Sequence, residues 1–154
     1  MALHKSFVAI SWGCCCAFLL MFFCVGCKHQ VSSYEVERVA APNGKVEAIL
    51  TETNGGATTS FGYEVSIGSK ATKSSQTVAS LYGAVRNTNA YGVNLSWAGN
   101  HLLRVEYLRA EAVHNVLNTV DVNGQQIEVK LQSGVEDPSA PPGGMQYNLQ
   151  RRVH

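Results

Sequence analysis

Beyond residue 27 this chain has no cysteine. All five cysteines (Cys14, Cys15, Cys16, Cys24 and Cys27) lie at or before that position. The remainder can therefore form neither an internal disulfide nor a thiolate cluster for zinc or iron–sulfur. An excess of charge is missing too. Of 12 Lys and Arg only Lys5 precedes Cys27, leaving 11 against 11 Asp and Glu. The only adjacent basic pair is Arg151–Arg152, and without a basic stripe nucleic acid is not an expected partner. Catalytic signatures are absent as well: there is no Gly-x-Ser-x-Gly elbow, no P-loop lysine and, past Cys27, no thiol nucleophile. A protein that is not an enzyme and needs no cofactor is the expectation. With no staples, the fold must stand on an apolar core, which one domain of this size can supply by burying roughly two-thirds of its unfolded-chain surface.

What is present divides the chain in two. Residues 1–26 carry one charged side chain, Lys5, and four of the five phenylalanines. The start "MALHK" is followed by the uncharged run "SFVAISWGCCCAFLLMFFCVG" and then by Cys27 and the polar "KHQVSS". A short positive region, an apolar stretch and small residues before a cut are the parts of a secretory signal. A single membrane-spanning anchor is the alternative, since about 21 apolar residues at 1.5 Å each cross roughly 30 Å. Gly26 directly before Cys27, the polar start after it and the lack of a basic stop-transfer cluster favour cleavage.

"CVGC", Cys24 to Cys27, resembles the lipobox of bacterial lipoproteins. Val25 and Gly26 suit its second and third positions, Cys27 its obligatory fourth, and Cys24 stands where Leu is usual. The resemblance implies a diacylglyceryl thioether on Cys27, an acyl group on its freed amine and the membrane as a partner. Two or three acyl chains anchor durably where one does not. Lys28 in place of the Asp associated with inner-membrane retention implies an outer-membrane destination facing the periplasm.

Past residue 33 the apolar pattern has period two. Tyr63, Val65 and Ile67 alternate with Glu64 and Ser66. Val93, Leu95 and Trp97 do so with Asn94 and Ser96, Leu103, Val105 and Tyr107 with Arg104 and Glu106, and Ile127, Val129 and Leu131 with Glu128 and Lys130. Such alternation predicts antiparallel strands with one buried face. Asn43–Gly44 and Asn123–Gly124 predict tight hairpin turns, with a third reversal at Gly99–Asn100. Strands are expected over 34–40, 45–52, 62–67, 77–85, 92–97, 101–108, 118–122 and 126–132, and residues 109–118 as strand continuation or a turn rather than a helix. The expected fold is all-β: a small antiparallel β-sandwich or strongly twisted meander of seven to eight strands. The organisation reads as a signal peptide (1–26), a tether (27–33), a β-domain (34–134) and a mobile Pro/Gly-rich tail (135–154). Pro42, Asn43, Gly44 and Lys45, followed by Gly56, Ala57, Thr58 and Thr59, resemble a turn and loop of small bacterial lipoproteins and secreted proteins. That resemblance implies a β-domain over residues 40–132 and no particular chemistry.

Two candidate sites follow from the residues. In "TNGGATTSFG" the amides of Gly55 and Gly56 and the hydroxyls of Thr58, Thr59 and Ser60 form a candidate nest for an anion or a glycan oxygen, with Tyr91 as an exposed aromatic contact nearby. Set against this, the loop's hydroxyls can satisfy their own backbone. Glu111 and His114 have a metal-ligand spacing but lack a third ligand, so they read as surface residues and no metal site is expected. The functional expectation is a lipid-anchored envelope module that binds another protein or envelope component, with small-ligand binding at Gly55–Ser60 as the alternative. The lipidation reading has a direct outcome: cells fed radiolabelled palmitate incorporate label into the wild-type chain and not into Cys27→Ser. Label that survives the substitution returns the segment to a plain membrane anchor.

Overall fold

The computed structural model describes residues 31–72 and 74–137. The signal-peptide assignment, Cys27 and the tail from residue 138 lie outside them. Nine strands follow one another: β1 (Ser32–Ala40), β2 (Val46–Asn54), β3 (Gly62–Ser69), β4 (Ser75–Tyr82), β5 (Val93–Trp97), β6 (Leu102–Tyr107), β7 (Ala112–His114), β8 (Thr119–Val122) and β9 (Gln125–Ser133). They form two sheets, in the orders β1-β2-β3-β4-β7 and β5-β6-β9-β8. The all-β expectation holds, as a small sandwich, and β1–β4 are an antiparallel meander inside its first sheet.

The period-two pattern places the core where expected. Val46, Ala48 and Leu50 of β2, Val65 and Ile67 of β3, Leu103 and Val105 of β6, and Ile127 and Val129 of β9 are all buried in one cluster between the sheets. Trp97 is half-buried at the end of β5, and its Nε1–H donates to the Val39 carbonyl of β1 at 2.9 Å. That bond ties the edge strands of the two sheets together.

Five expectations need correction. Residues 32 and 33, assigned to the tether, already pair with Asn54 and Thr53. β4 ends at Tyr82 instead of 85, because Gly83 turns the backbone to φ +64°. The expected seven to eight strands become nine, because residues 109–118, expected as strand or turn and not helix, hold the short strand β7 as an element of its own. β6 and β9 pair in parallel, whereas alternation had predicted antiparallel neighbours. The chain leaves β6, adds β7 to the opposite sheet and returns through β8, and a connection that long is what a parallel pair requires. Finally, the two Asn-Gly turns differ. Asn123 (φ 53°) and Gly124 (φ 80°) are both left-handed, as a two-residue hairpin demands. At the first turn only Gly44 is left-handed (φ 69°). Its N–H donates to the Ala41 carbonyl at 2.8 Å, so Pro42 and Asn43 occupy the bend.

β1 is an edge strand of nine residues, the kind that invites pairing with another chain. A register shift between Glu35 and Glu37 breaks its ladder. Arg38 bridges Glu35 at 2.7 Å and also reaches Glu47, placing charge on the outer face. The hydrogen bond from Arg38 holds the Glu35 carboxyl below the ordinary carboxylate range.

Candidate functional site

The sandwich has two unlike ends. At the entry end, β1 begins, β2 runs into the Gly55–Ser60 loop, β4 leads into residues 83–92, and β6 finishes. Backbone bonds knit these segments together: Gly83 N–H to the Phe61 carbonyl at 2.9 Å, Glu111 N–H to Tyr82 at 2.9 Å and Val85 N–H to Arg109 at 2.9 Å. At the other end lie four hairpin tips, those of β1–β2, β3–β4, β5–β6 and β8–β9. A strand of nine residues at about 3.3 Å each puts the two ends roughly 30 Å apart.

An ion pair closes the core at the entry end. Glu52 continues the inward register of Val46, Ala48 and Leu50 and is 5 % exposed. Tyr63, its neighbour across the β2–β3 ladder, donates its hydroxyl to Glu52 Oε2 at 3.2 Å. Arg86 arrives from the loop after β4 with Nη1 3.1 Å from the same oxygen, and both charged side chains are 6 % exposed. The guanidinium carbon lies 4.0 Å from the Phe61 ring centroid and 4.5 Å from that of Tyr91, and Nη2 donates to the Tyr91 hydroxyl. Nη1 is out of line for a hydrogen bond to the carboxylate, and Nε has no acceptor among the described residues. Charge proximity and the two ring faces therefore hold Arg86, more than directed bonds do.

The local chain is shaped for this. The side chain of Asn87 accepts from Asn89 N–H at 2.8 Å and Ala90 N–H at 3.1 Å, closing a turn that sets Arg86 opposite Tyr91 in a two-residue bridge. Gly92 follows at φ +78°, where an added Cβ would sit 2.5 Å from the Tyr63 hydroxyl. Only glycine lets the backbone lie that close to the phenol. Burial raises the Tyr63 pKa well above the usual phenol value, partly opposed by the Arg86 charge. The cluster is thus a sealed electrostatic plug, with no group presented for proton transfer to an outside molecule.

Tyr91, expected as an exposed contact, is half-buried and engaged with Arg86, because the bridge turns its ring towards the core. The Gly55–Ser60 loop stays at the surface, and several of its donors are engaged within the protein. Gly56 N–H goes to Asn54 Oδ1 at 2.8 Å, Thr59 Oγ1 to the Gly56 carbonyl at 3.1 Å, Ser60 N–H to the Tyr82 hydroxyl at 3.0 Å and Ser60 Oγ to Glu111 Oε1 at 2.9 Å. Gly55 is half-buried against Thr59, and Thr58 is exposed at the tip. The loop therefore lies next to Glu111 and Tyr82 and does not converge on Tyr91. His114 pairs with Ser80 on β4. Among the described residues no three His, Cys, Asp or Glu side chains gather as a metal-binding group.

The hairpin end holds what sequence reasoning missed. Asn43 N–H donates to Asn100 Oδ1 at 2.9 Å, Gln125 Nε2 to the Asn100 carbonyl at 2.6 Å and Asn123 Nδ2 to Ser69 Oγ at 2.8 Å. These bonds cross-link the tips around a cleft of about 660 Å³, walled by Lys45, Val46, Ser69, Lys70, Asn123 and Gln125. Lys45 and Lys70 are exposed on its rim, and the Lys70 N–H donates to the Lys45 carbonyl at 3.4 Å. A wider hollow of about 1080 Å³ lies over β8 and β9, walled by His101, Val116, Glu128 and Lys130 among others. It is an open sheet face with charges of both signs. Four Asn or Gln residues gathered at turns was the available signal for the tip network, but each turn had been read alone.

Fold and site together define a small two-sheet β-sandwich with a plugged end and a clefted end. Comparison with protein families, curated proteins and solved structures finds nothing that matches it.

Two outcomes follow from the plug. Removing one member of a buried pair strands the other charge, so Glu52→Gln or Arg86→Met alone costs about 3–5 kcal/mol. The double variant costs clearly less than the sum, read as a coupling energy from urea unfolding, and additive losses would deny the pairing. For Tyr63 the folded phenol stays neutral while the unfolded one ionises near pH 10. Its contribution is complete below that pH and is lost as pH rises past it. The alkaline fall in unfolding midpoint is accordingly shallower in Tyr63→Phe than in wild type.

Proposed function

We propose that this protein is a non-catalytic, lipid-anchored module of the bacterial envelope that presents its hairpin-tip end to a protein partner. The observation that carries this reading is the placement of the two ends. The described chain enters the sandwich at Val31 and Ser32, at the plugged end, opposite the cleft. Only residues 28–31 separate Ser32 from Cys27, a reach of at most about 18 Å. With lipid on Cys27, the cleft stands off the bilayer by about the length of the sandwich, roughly 30 Å.

The cleft suits recognition by position. Its rim carries Lys45 and Lys70, its walls carry amide side chains, and its floor includes Val46. Cross-linked tips keep those groups in place before a partner arrives, which reduces the ordering cost of binding. Amide and lysine donors around an apolar floor fit an acidic or polar protein segment. The outer membrane, facing the periplasm, is the destination in this reading.

A photo-reactive amino acid placed at Lys45 or Lys70 in intact cells gives a discrete protein adduct, while the same group at Thr88 on the entry end gives none. Adducts absent from both hairpin-end positions, or equal at the two ends, would sink the proposal.

A further inference from the structure

The entry end carries a group of exposed apolar side chains that the plug and the cleft do not explain. Five large hydrophobic residues are exposed among the described residues, and three of them, Val31 (57 %), Tyr34 (43 %) and Tyr82 (39 %), stand at this end. The strand register shows how the two tyrosines are placed on this rim. Tyr34 lies opposite Glu52, and Tyr82 opposite Gly62 one residue nearer the rim. β1 and β4 are three strand spacings apart, about 14 Å; Tyr34 is level with Leu81 and shares its face, while Tyr82 lies on the other, so the two phenols edge the mouth from opposite faces of the sheet. The ring of Phe61, half-buried over Arg86, lies between those strands at the start of β3.

From this we infer that the entry end rests on the lipid headgroup region, with Tyr34 and Tyr82 seated at the interface. The inference builds on the lipid-anchor reading. Tyrosine is suited to that layer because an apolar ring and a polar tip meet the two sides of the boundary. The Tyr82 hydroxyl accepts from Ser60 N–H, which holds the ring at the rim in a fixed direction. Chain length supplies the second argument. Four residues between Cys27 and Ser32 keep this end within about 18 Å of the Cys27 backbone, so it is this end that meets the bilayer.

Charge determines which contact is meant. Around the mouth Glu35, Glu111 and Glu136 are exposed, against the exposed cations Arg109 and Arg38, the latter paired with Glu35. An acidic surround gains nothing from anionic lipid, so the contact is apolar and aromatic, with weak dependence on salt.

The experiment uses the mature protein isolated from cells and reconstituted in phosphatidylethanolamine–phosphatidylglycerol vesicles containing lipid with a nitroxide in the headgroup region. Trp97, at the hairpin end, is the internal reference. In Tyr82→Trp the introduced indole loses about half or more of its emission to the nitroxide, Trp97 loses little, and raising salt leaves the pattern unchanged, as an interfacial aromatic requires. Tyr34→Trp is the second variant and gives the same result should Tyr82→Trp not fold. An anchored protein whose introduced indoles at both positions are quenched no more than Trp97 overturns the inference and leaves the anchor standing. Absence of lipid on Cys27 in the same preparation overturns the anchor reading and this inference with it.

Discussion

A carboxylate and a guanidinium with 6 % of their side chains exposed, 3.1 Å apart, close one end of this sandwich. Neither could stay there alone, since an isolated buried charge costs several kcal/mol even after relaxation. Glu52 is fixed by strand register, so Arg86 must be delivered to it. That requirement shapes the connection between the sheets: Gly83 ends β4, the Asn87 turn folds back, and Gly92 lets β5 start against the Tyr63 ring. The crossover from the first sheet to the second is thus organised around one cation. An apolar pair of similar volume could be as stable. It would not dictate where the crossover loop sits, and positioning is what the pair supplies.

This division of labour leaves the hairpin end free for other work. At the entry end Glu52, Tyr63 and Arg86 face inward and are engaged with one another. At the hairpin end Asn43, Asn100, Asn123 and Gln125 tie the tips together while Lys45 and Lys70 remain on the rim. The two poles thus differ in kind: one closed by a buried ion pair, the other clefted and rimmed by lysines. The Gly55–Ser60 loop lies at the opposite pole from the cleft, and four of its donors bond Asn54, Gly56, Tyr82 and Glu111.

Much of the fold was legible because burial on one face forces period two. The alternations at Tyr63–Ile67, Leu103–Tyr107 and Ile127–Leu131 each correspond to a strand with its apolar side inward. Asn123–Gly124 was legible for a similar reason, since two consecutive left-handed residues admit few side chains. The parallel β6–β9 pair was not, because alternation reports which face is buried and says nothing of strand direction. β7 escaped as a strand of its own because three residues are too few to show a period. Glu52 carried a readable sign: in "VEAILTE" it occupies the fourth inward position after Val46, Ala48 and Leu50. Arg86 carried none, since its burial depends on ring faces supplied by Phe61 and Tyr91, one of them 25 residues away.

The plug also bears on the entry end's apolar rim. Tyr34 shares its inward phase with Glu52, the next position across the sheet. An inward-phased residue on an interior strand would be covered. On the edge strand β1 it stays 43 % exposed, since no further strand lies beyond it among the described residues. The edge position of β1 therefore leaves the Tyr34 ring as part of this end's apolar rim.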